Sequence, residues 1–227
     1  MQKGFMQKIA IYDMDRTITR SGTYTPFLMF AALRKAPWRL VLAPLALLWM
    51  SLYALKIISR AKLKELNLTL LIGGRFDRRD VEQQIDEYSA RTIADNSYAE
   101  AIAQIETDRE NGYRLVLATA SYHLYVDAIA ARLGFDDVIA TELEQDGTQV
   151  VARIINENCY DEAKLRKIRA WMDREELVRE NCDIRAYSDH ISDMPMLEFA
   201  DHPVATNPSA ALRREAVSRG WPIHDWN

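Results

Sequence analysis

The sequence predicts an α/β fold, a parallel sheet covered by helices on both faces, with a long helical insertion after the first strand. Three observations carry this expectation. Short apolar runs end in acidic or hydroxyl-bearing turns at residues 9–12 (IAIY), 114–119 (RLVLAT), 138–141 (VIAT) and 184–188 (IRAYS), with 203–206 (PVAT) a weaker fifth. Runs of this kind suit strands buried on both faces. Between them lie stretches with apolar spacing near three and four, at residues 98–110, 122–133 and 162–174, and strand alternating with helix implies parallel pairing. Finally, no convincing strand lies between Ile18 and about Asn96, where helix formers dominate. One antiparallel interruption is expected, because Asp146-Gly147 between residues 142–144 and 150–153 reads as a hairpin turn.

At 227 residues the chain can bury one substantial core plus a small accessory unit. The expected division is a core of residues 1–18 and 97–227 with a helical cap of residues 19–96. A net charge of -4 and a pI near 5.7 argue against a protein that tracks the nucleic-acid backbone. Cys159 and Cys182 are the only cysteines, and no Cys/His pair has metal-ligand spacing, so neither a disulfide framework nor a zinc site is indicated. Residues 1–8 lack the apolar run and small-residue cleavage site of a secretory signal. The expected location is the cytoplasm.

The chemistry-bearing residues cluster at the predicted strand ends. Asp13 and Asp15, two apart in Asp13-Met14-Asp15-Arg16-Thr17, can divide phosphoryl transfer between a nucleophile on phosphorus and an acid/base that protonates the leaving alkoxide. Alone, such a pair is as readily a turn or helix cap. Thr119, in Ala118-Thr119-Ala120-Ser121, offers a hydroxyl and backbone N–H groups at a strand-to-helix turn, a natural phosphate cradle and also a helix N-cap. Lys164 would neutralise phosphate charge. Asp189 and Asp193, four apart beyond the fourth strand, suit Mg²⁺, which favours one or two carboxylates with phosphate and water. Asp193 could act through water, pair with Lys164, or cap a helix. His123, His190, His202 and His224 read as loop or surface residues.

These four elements in this order, DxDxT at Asp13–Thr17, Thr119 after a strand, Lys164, and DxxxD at Asp189–Asp193, resemble the haloacid dehalogenase (HAD) superfamily over nearly the whole chain. The insertion, Ala118-Thr119-Ala120-Ser121 and Tyr187-Ser188-Asp189 are similar to its phosphoserine-phosphatase-like subfamily IB, with a helical C1 cap. The resemblance implies a HAD-like Rossmannoid core and a Mg²⁺-dependent phosphatase acting through an aspartyl-phosphate. It implies Asp13 as nucleophile, Asp15 as acid/base with its backbone carbonyl on the metal, and Thr17, Thr119, Ala120 and Lys164 on phosphate. Asp13 and Asp189 would ligate Mg²⁺, with Asp193 supporting. Asn207 sits in an Asn-Pro shared with that subfamily, without an assigned role.

Two departures bear on substrate. Arg16 stands where glycine is commonest, and residues 19–23 (TRSGT) lack the glutamate with which phosphoserine phosphatases recognise the serine ammonium, so phosphoserine is the second choice. Residues 40–55 (LVLAPLALLWMSLYAL) carry no charge, with Arg34, Lys35 and Arg39 before them and Lys56, Arg60, Lys62 and Lys64 after. The stretch is short for a membrane span. It reads either as a buried helical pair or as contact with an anionic membrane, where Trp38, Trp49 and Tyr53 would suit the interface. Motif one followed by such a stretch is similar to phosphatidylglycerophosphatases of the C type. The expected substrate is therefore a small phosphorylated metabolite or a phospholipid headgroup. A receiver domain uses a similar acidic set but places its phosphorylated Asp after a later strand. An inactive membrane-binding module is disfavoured because every catalytic position is filled.

Overall fold

A computed structural model describes residues 6–227; the expectation for residues 1–8 therefore falls partly outside the described residues. β1 (Gln7–Tyr12) is followed by α1 (Tyr24–Lys35), α2 (Ala43–Ala54), α3 (Arg60–Leu71), β2 (Arg75–Asp77) and α4 (Arg79–Asn96). Alternation then runs through α5 (Ala99–Glu110), β3 (Arg114–Tyr122), α6 (His123–Leu133) and β4 (Asp137–Thr141) to a hairpin of β5 (Leu143–Asp146) and β6 (Gln149–Ile154). The chain continues as α7 (Glu162–Arg174), β7 (Cys182–Ser188), α8 (Met194–Phe199), β8 (His202–Thr206), α9 (Ala210–Arg219) and β9 (Ile223–His224).

Six strands pair in parallel in the order β4-β3-β1-β7-β8-β9. β1 lies between β3 and β7, with Tyr12 level with Leu117 on one side and Tyr187 on the other. The chain winds outward from β1 in both directions, which creates a crevice at the strands' carboxyl ends. Asp13, Thr119 and Asp189 leave the sheet side by side there. Period-two alternation fills both faces. Ile9, Ile11, Val116, Ile184 and Ala186 pack with Ile168 and Trp171 of α7 and Leu212 of α9, whereas Ala10, Tyr12, Leu115 and Tyr187 pack toward α5, α6 and the inserted helices. Each fully buried large apolar side chain contributes roughly 1.5–3 kcal/mol.

The structure corrects three sequence expectations. The insertion is not wholly helical, because β2 pairs antiparallel with β6 in a three-stranded sheet, β2-β6-β5. Three residues are too few to show alternation, and it is the free edge of the hairpin that draws them into a strand. Second, β3 runs on to Tyr122 with a register shift after Ala118, so the N-cap of α6 is Tyr122 and not Thr119. Third, residues 40–55 are not a buried helical pair. They form the end of a 3₁₀ turn and α2, in which Ala46 and Trp49 lean on the core while Leu45, Leu47, Leu48 and Met50 face outward. Among the described residues, no helix is long and apolar enough to cross a membrane.

Candidate active site

Asp13 follows β1 directly, and its N–H donates to the Tyr187 carbonyl at 2.9 Å, so the sheet ladder holds the residue one step past the strand. The chain then folds tightly, with the N–H groups of Thr17, Ile18 and Thr19 converging on the Met14 carbonyl. This turn places Arg16 at φ +65°, the left-handed region, where a residue with a Cβ costs about 1–2 kcal/mol relative to glycine. Arg16 therefore departs from the usual glycine at a backbone cost, leaving both carboxylates in place. Thr17 does not line the cavity. Buried behind Asp13, its hydroxyl donates to Asp13 Oδ2 at 3.3 Å, so the geometry makes it a support for that carboxylate rather than a phosphate contact.

Lys164 enters from the first turn of α7, where it would read as a solvated residue, yet it is buried. Its Nζ donates to Asp13 Oδ1 at 2.8 Å and to Asp193 Oδ2 at 2.7 Å, and Ser188 Oγ adds a bond to Asp193 Oδ2 at 2.6 Å. Asp193 occupies the N-cap position of α8 without a capping bond from its side chain, so its carboxylate is spent on Lys164 and Ser188 instead. Burial alone would lower the Lys164 pKa, but Asp13 and Asp193 override it and hold the ammonium protonated. One ammonium does not balance three carboxylates. Burial, with Asp193 and Asp15 nearby, pushes Asp13 up to about 7 in spite of Lys164. Burial, then Asp13 and Asp193, push Asp189 up to about 8.

That surplus of buried negative charge is chemically suited to a divalent cation. Among the described residues no three acidic, His or Cys side chains converge to hold a metal by themselves. Mg²⁺ does not need three, since two carboxylates, a carbonyl, phosphate and water complete its shell. Asp13 and Asp189 fit this donor set, and no protein donor among the described residues reaches the Asp189 carboxylate. The loop carrying Asp189 is braced by Ser209, whose N–H donates to the Asp189 carbonyl at 2.7 Å. Asn207, at φ +44°, accepts from the Trp226 N–H at 2.7 Å, tying Trp226 to the segment after β8 that also carries Ser209.

Asp15 sits on the rim of the cavity. Its Oδ1 accepts from both the N–H and the hydroxyl of Thr23 at 2.7 Å, and its Oδ2 from Ser121 Oγ at 3.1 Å. Thr23 is the N-cap residue of α1 and also bonds Tyr125 Oη, while Tyr88 Oη donates to its carbonyl. Thr23 and Ser121 were not expected as site residues. Ser121 stands two residues past Thr119, whose hydroxyl accepts its N–H at 3.2 Å, but nothing local marks Thr23 as a partner of Asp15. Lys64 was missed too. Its Nζ donates to the Ala120 carbonyl and to Asn158 Oδ1, and burial followed by the Arg60 charge lowers it to about 7. Lys64 shares a helical face with Leu68 and Leu71, and a cation in that apolar stripe was the readable signal.

These groups surround a cavity of about 340 Å³ lined by Asp13, Asp15, Arg16, Thr119, Ala120, Lys164, Asp189 and Asp193, with Tyr24 and Arg60 on the insertion side. A smaller cleft of about 280 Å³ adjoins it, sharing Asp15, Tyr24, Arg60 and Ala120, and reaching Met50, Tyr53, Lys64 and Asn67. His190 lines the main cavity, but its Nδ1 accepts from the Ser192 N–H, which makes it a loop cap.

A parallel sheet that gathers aspartates, a threonine and a lysine at its carboxyl edge, beneath an insertion after the first strand, defines a class of α/β proteins. Within that class the chain belongs to the haloacid dehalogenase-like hydrolase family, which residues 10–198 match. An inhibition-of-morphological-differentiation protein of Streptomyces azureus is 36% identical over 149 residues, covering 64% of this chain and 53% of that protein. A phosphoserine phosphatase of Mycobacterium tuberculosis is 33% identical over 145 residues, covering 64% of this chain and 45% of that one. The chain thus spans about half the length of the curated relatives it matches. A solved structure of a protein of unknown function from Bordetella pertussis Tohama I aligns with TM-score 0.88 at 23% identity, over 97% of this chain and 99% of that one, which shows a common fold.

The raised carboxyls give a test in metal-free protein. A folded pKa above the ordinary 3.8 contributes stability that is complete below about pH 4 and is lost as pH rises through about 7 for Asp13 and about 8 for Asp189. In chelator, the urea midpoint is expected to fall between about pH 5 and about pH 8, and Asp189→Asn to flatten that fall. A slope unchanged in the variant would contradict the charge balance described.

Proposed function

We propose that this chain is a Mg²⁺-dependent phosphomonoester hydrolase that works through an aspartyl-phosphate on Asp13. The observation that carries the reading is the convergence of Asp13, Lys164 and Asp189 on the floor of one cavity with Asp15 on its rim. Asp13 attacks phosphorus in line with the ester oxygen, forming an Asp13 O–P bond as the bond to the leaving group breaks. Asp15 delivers its proton to the departing alkoxide, then accepts one from the water whose oxygen displaces Asp13 from phosphorus. Lys164 offsets charge on the transferred group from within a buried site, and Thr119 and Ala120 contribute a hydroxyl and backbone to its oxygens. Mg²⁺, held by Asp13, the Asp15 backbone carbonyl and Asp189, would supply electrostatic stabilisation of the phosphate. Asp193 acts by holding Lys164. Residues 19–96 serve as the cap over a core of residues 1–18 and 97–227.

The substrate is a small phosphorylated metabolite or a phospholipid headgroup, handled in the cytoplasm or at the inner face of a membrane. Phosphoserine is the second reading, favoured by the relative named a phosphoserine phosphatase. Against it, the carboxylates lining the two clefts among the described residues are Asp13, Asp15, Asp189 and Asp193, which leaves none on the insertion side for a substrate ammonium.

Release of phosphate from an aryl phosphate is expected to stop in EDTA and return with Mg²⁺, and Asp13→Asn to lower kcat by on the order of a thousandfold or more. Full activity in that variant would overturn the reading. Thr23→Val removes a hydroxyl bond to Asp15; an acid/base held less well should cost roughly tenfold or more in kcat with little change in KM. A change confined to KM would assign Thr23 to binding instead.

A further inference from the structure

α2 breaks the ordinary rule for a surface helix. A helix on a water-facing surface shows a polar stripe, yet Pro44–Ala54 of α2 carry no charged residue, and Ser51 and Tyr53 are their only polar side chains. Of the fifteen large hydrophobic side chains exposed among the described residues, ten lie between Trp38 and Ile57, with Val41 80%, Leu47 65% and Leu55 70% exposed. A contiguous apolar surface of this kind marks a binding face.

The charge around it identifies what it faces. From Arg16 to Lys64 the sequence holds nine Lys and Arg residues and not one Asp or Glu, in a chain whose net charge is -4. Arg34, Lys35 and Lys62 pair with Glu87, Asp80 and Glu65 at the surface. Arg39, Lys56 and Arg60 have no carboxylate partner among the described residues. A second copy of the chain would bring this cationic fringe against itself, whereas an anionic lipid surface complements both the fringe and the apolar helix. Twelve residues at 1.5 Å each span roughly 18 Å, too little to cross a bilayer and suited to lying in its interface. The helix is also continuous with the site, because Met50 and Tyr53 form the outer wall of the cleft that reaches Asp15 and Lys64.

We propose that α2 and its basic flanks dock this protein onto an anionic lipid bilayer, so that the cleft beside α2 opens at the headgroup layer. Docking does not depend on the phosphatase reading above.

The test is co-sedimentation of the chain with phosphatidylglycerol vesicles and with phosphatidylcholine vesicles, at low and high salt. The protein should sediment with the anionic vesicles at least tenfold more than with the neutral ones, and lose most of that binding in high salt. The double variant Leu47→Asp/Leu48→Asp should fall to the neutral-vesicle level while hydrolysing a soluble aryl phosphate at the unaltered rate. Lys56→Glu, which leaves the apolar face intact, should weaken binding severalfold. Failure of the unaltered protein to sediment, binding indifferent to both variants, or self-association without lipid that the double variant abolishes would each overturn docking. Vesicle binding without any hydrolysis would sink the phosphatase reading and leave docking standing.

Discussion

The buried ammonium of Lys164 is the contact on which the candidate site depends. It sits between Asp13 and Asp193 at 2.8 and 2.7 Å, and it connects α7, the turn after β1 and the loop after β7. Removing one partner from a buried charge set strands the others and costs about 3–5 kcal/mol. The arrangement also leaves the site one cation short, so that buried carboxyls with raised pKa values face the cavity. The same imbalance makes the floor of the cavity receptive to Mg²⁺ and holds Asp13 under-neutralised at the place where phosphorus would arrive.

A second constraint couples the site to the insertion. Asp15 is held through Thr23 at the start of α1, and Thr23 is itself fixed by Tyr88 of α4 and Tyr125 of α6. Lys64 of α3 reaches the Ala120 carbonyl beside Thr119. The inserted helices therefore set the orientation of the Asp15 carboxylate and brace the backbone at Ala120. Their outer surface carries the exposed apolar helix, so a single unit would meet the membrane, shape the leaving-group cleft and orient Asp15.

How much of this was legible in the sequence follows from which forces are local. The parallel strands were readable because burial on both faces gives uninterrupted apolar runs, and the site aspartates because strand ends place them at a fixed edge. The pairing of Lys164 with Asp193 could be named as one option, but the choice among ion pair, cap and ligand required the tertiary approach of α7 to the loop after β7. The strand at Arg75–Asp77 was invisible because its stability comes from an edge more than seventy residues later in the chain. Thr119 looked like a helix cap because the irregular extension of β3 to Tyr122 is imposed by its neighbours. The exposure of residues 40–55 was undecidable, since an apolar stretch has one pattern whether it faces a core or a membrane. The hold of Thr23 on Asp15 depends on a packing angle that no spacing encodes.

Phosphatase chemistry through Asp13 requires that phosphorus become covalently bound to that carboxylate. Acid quenching during turnover of a radiolabelled phosphomonoester, followed by peptide mapping, measures it directly. The account predicts label on the peptide containing Asp13, released by hydroxylamine as an acyl phosphate and absent in Asp13→Asn. Label on Thr119 or Ser121, or hydrolysis with no labelled peptide under conditions that trap a control acyl phosphate, would contradict it.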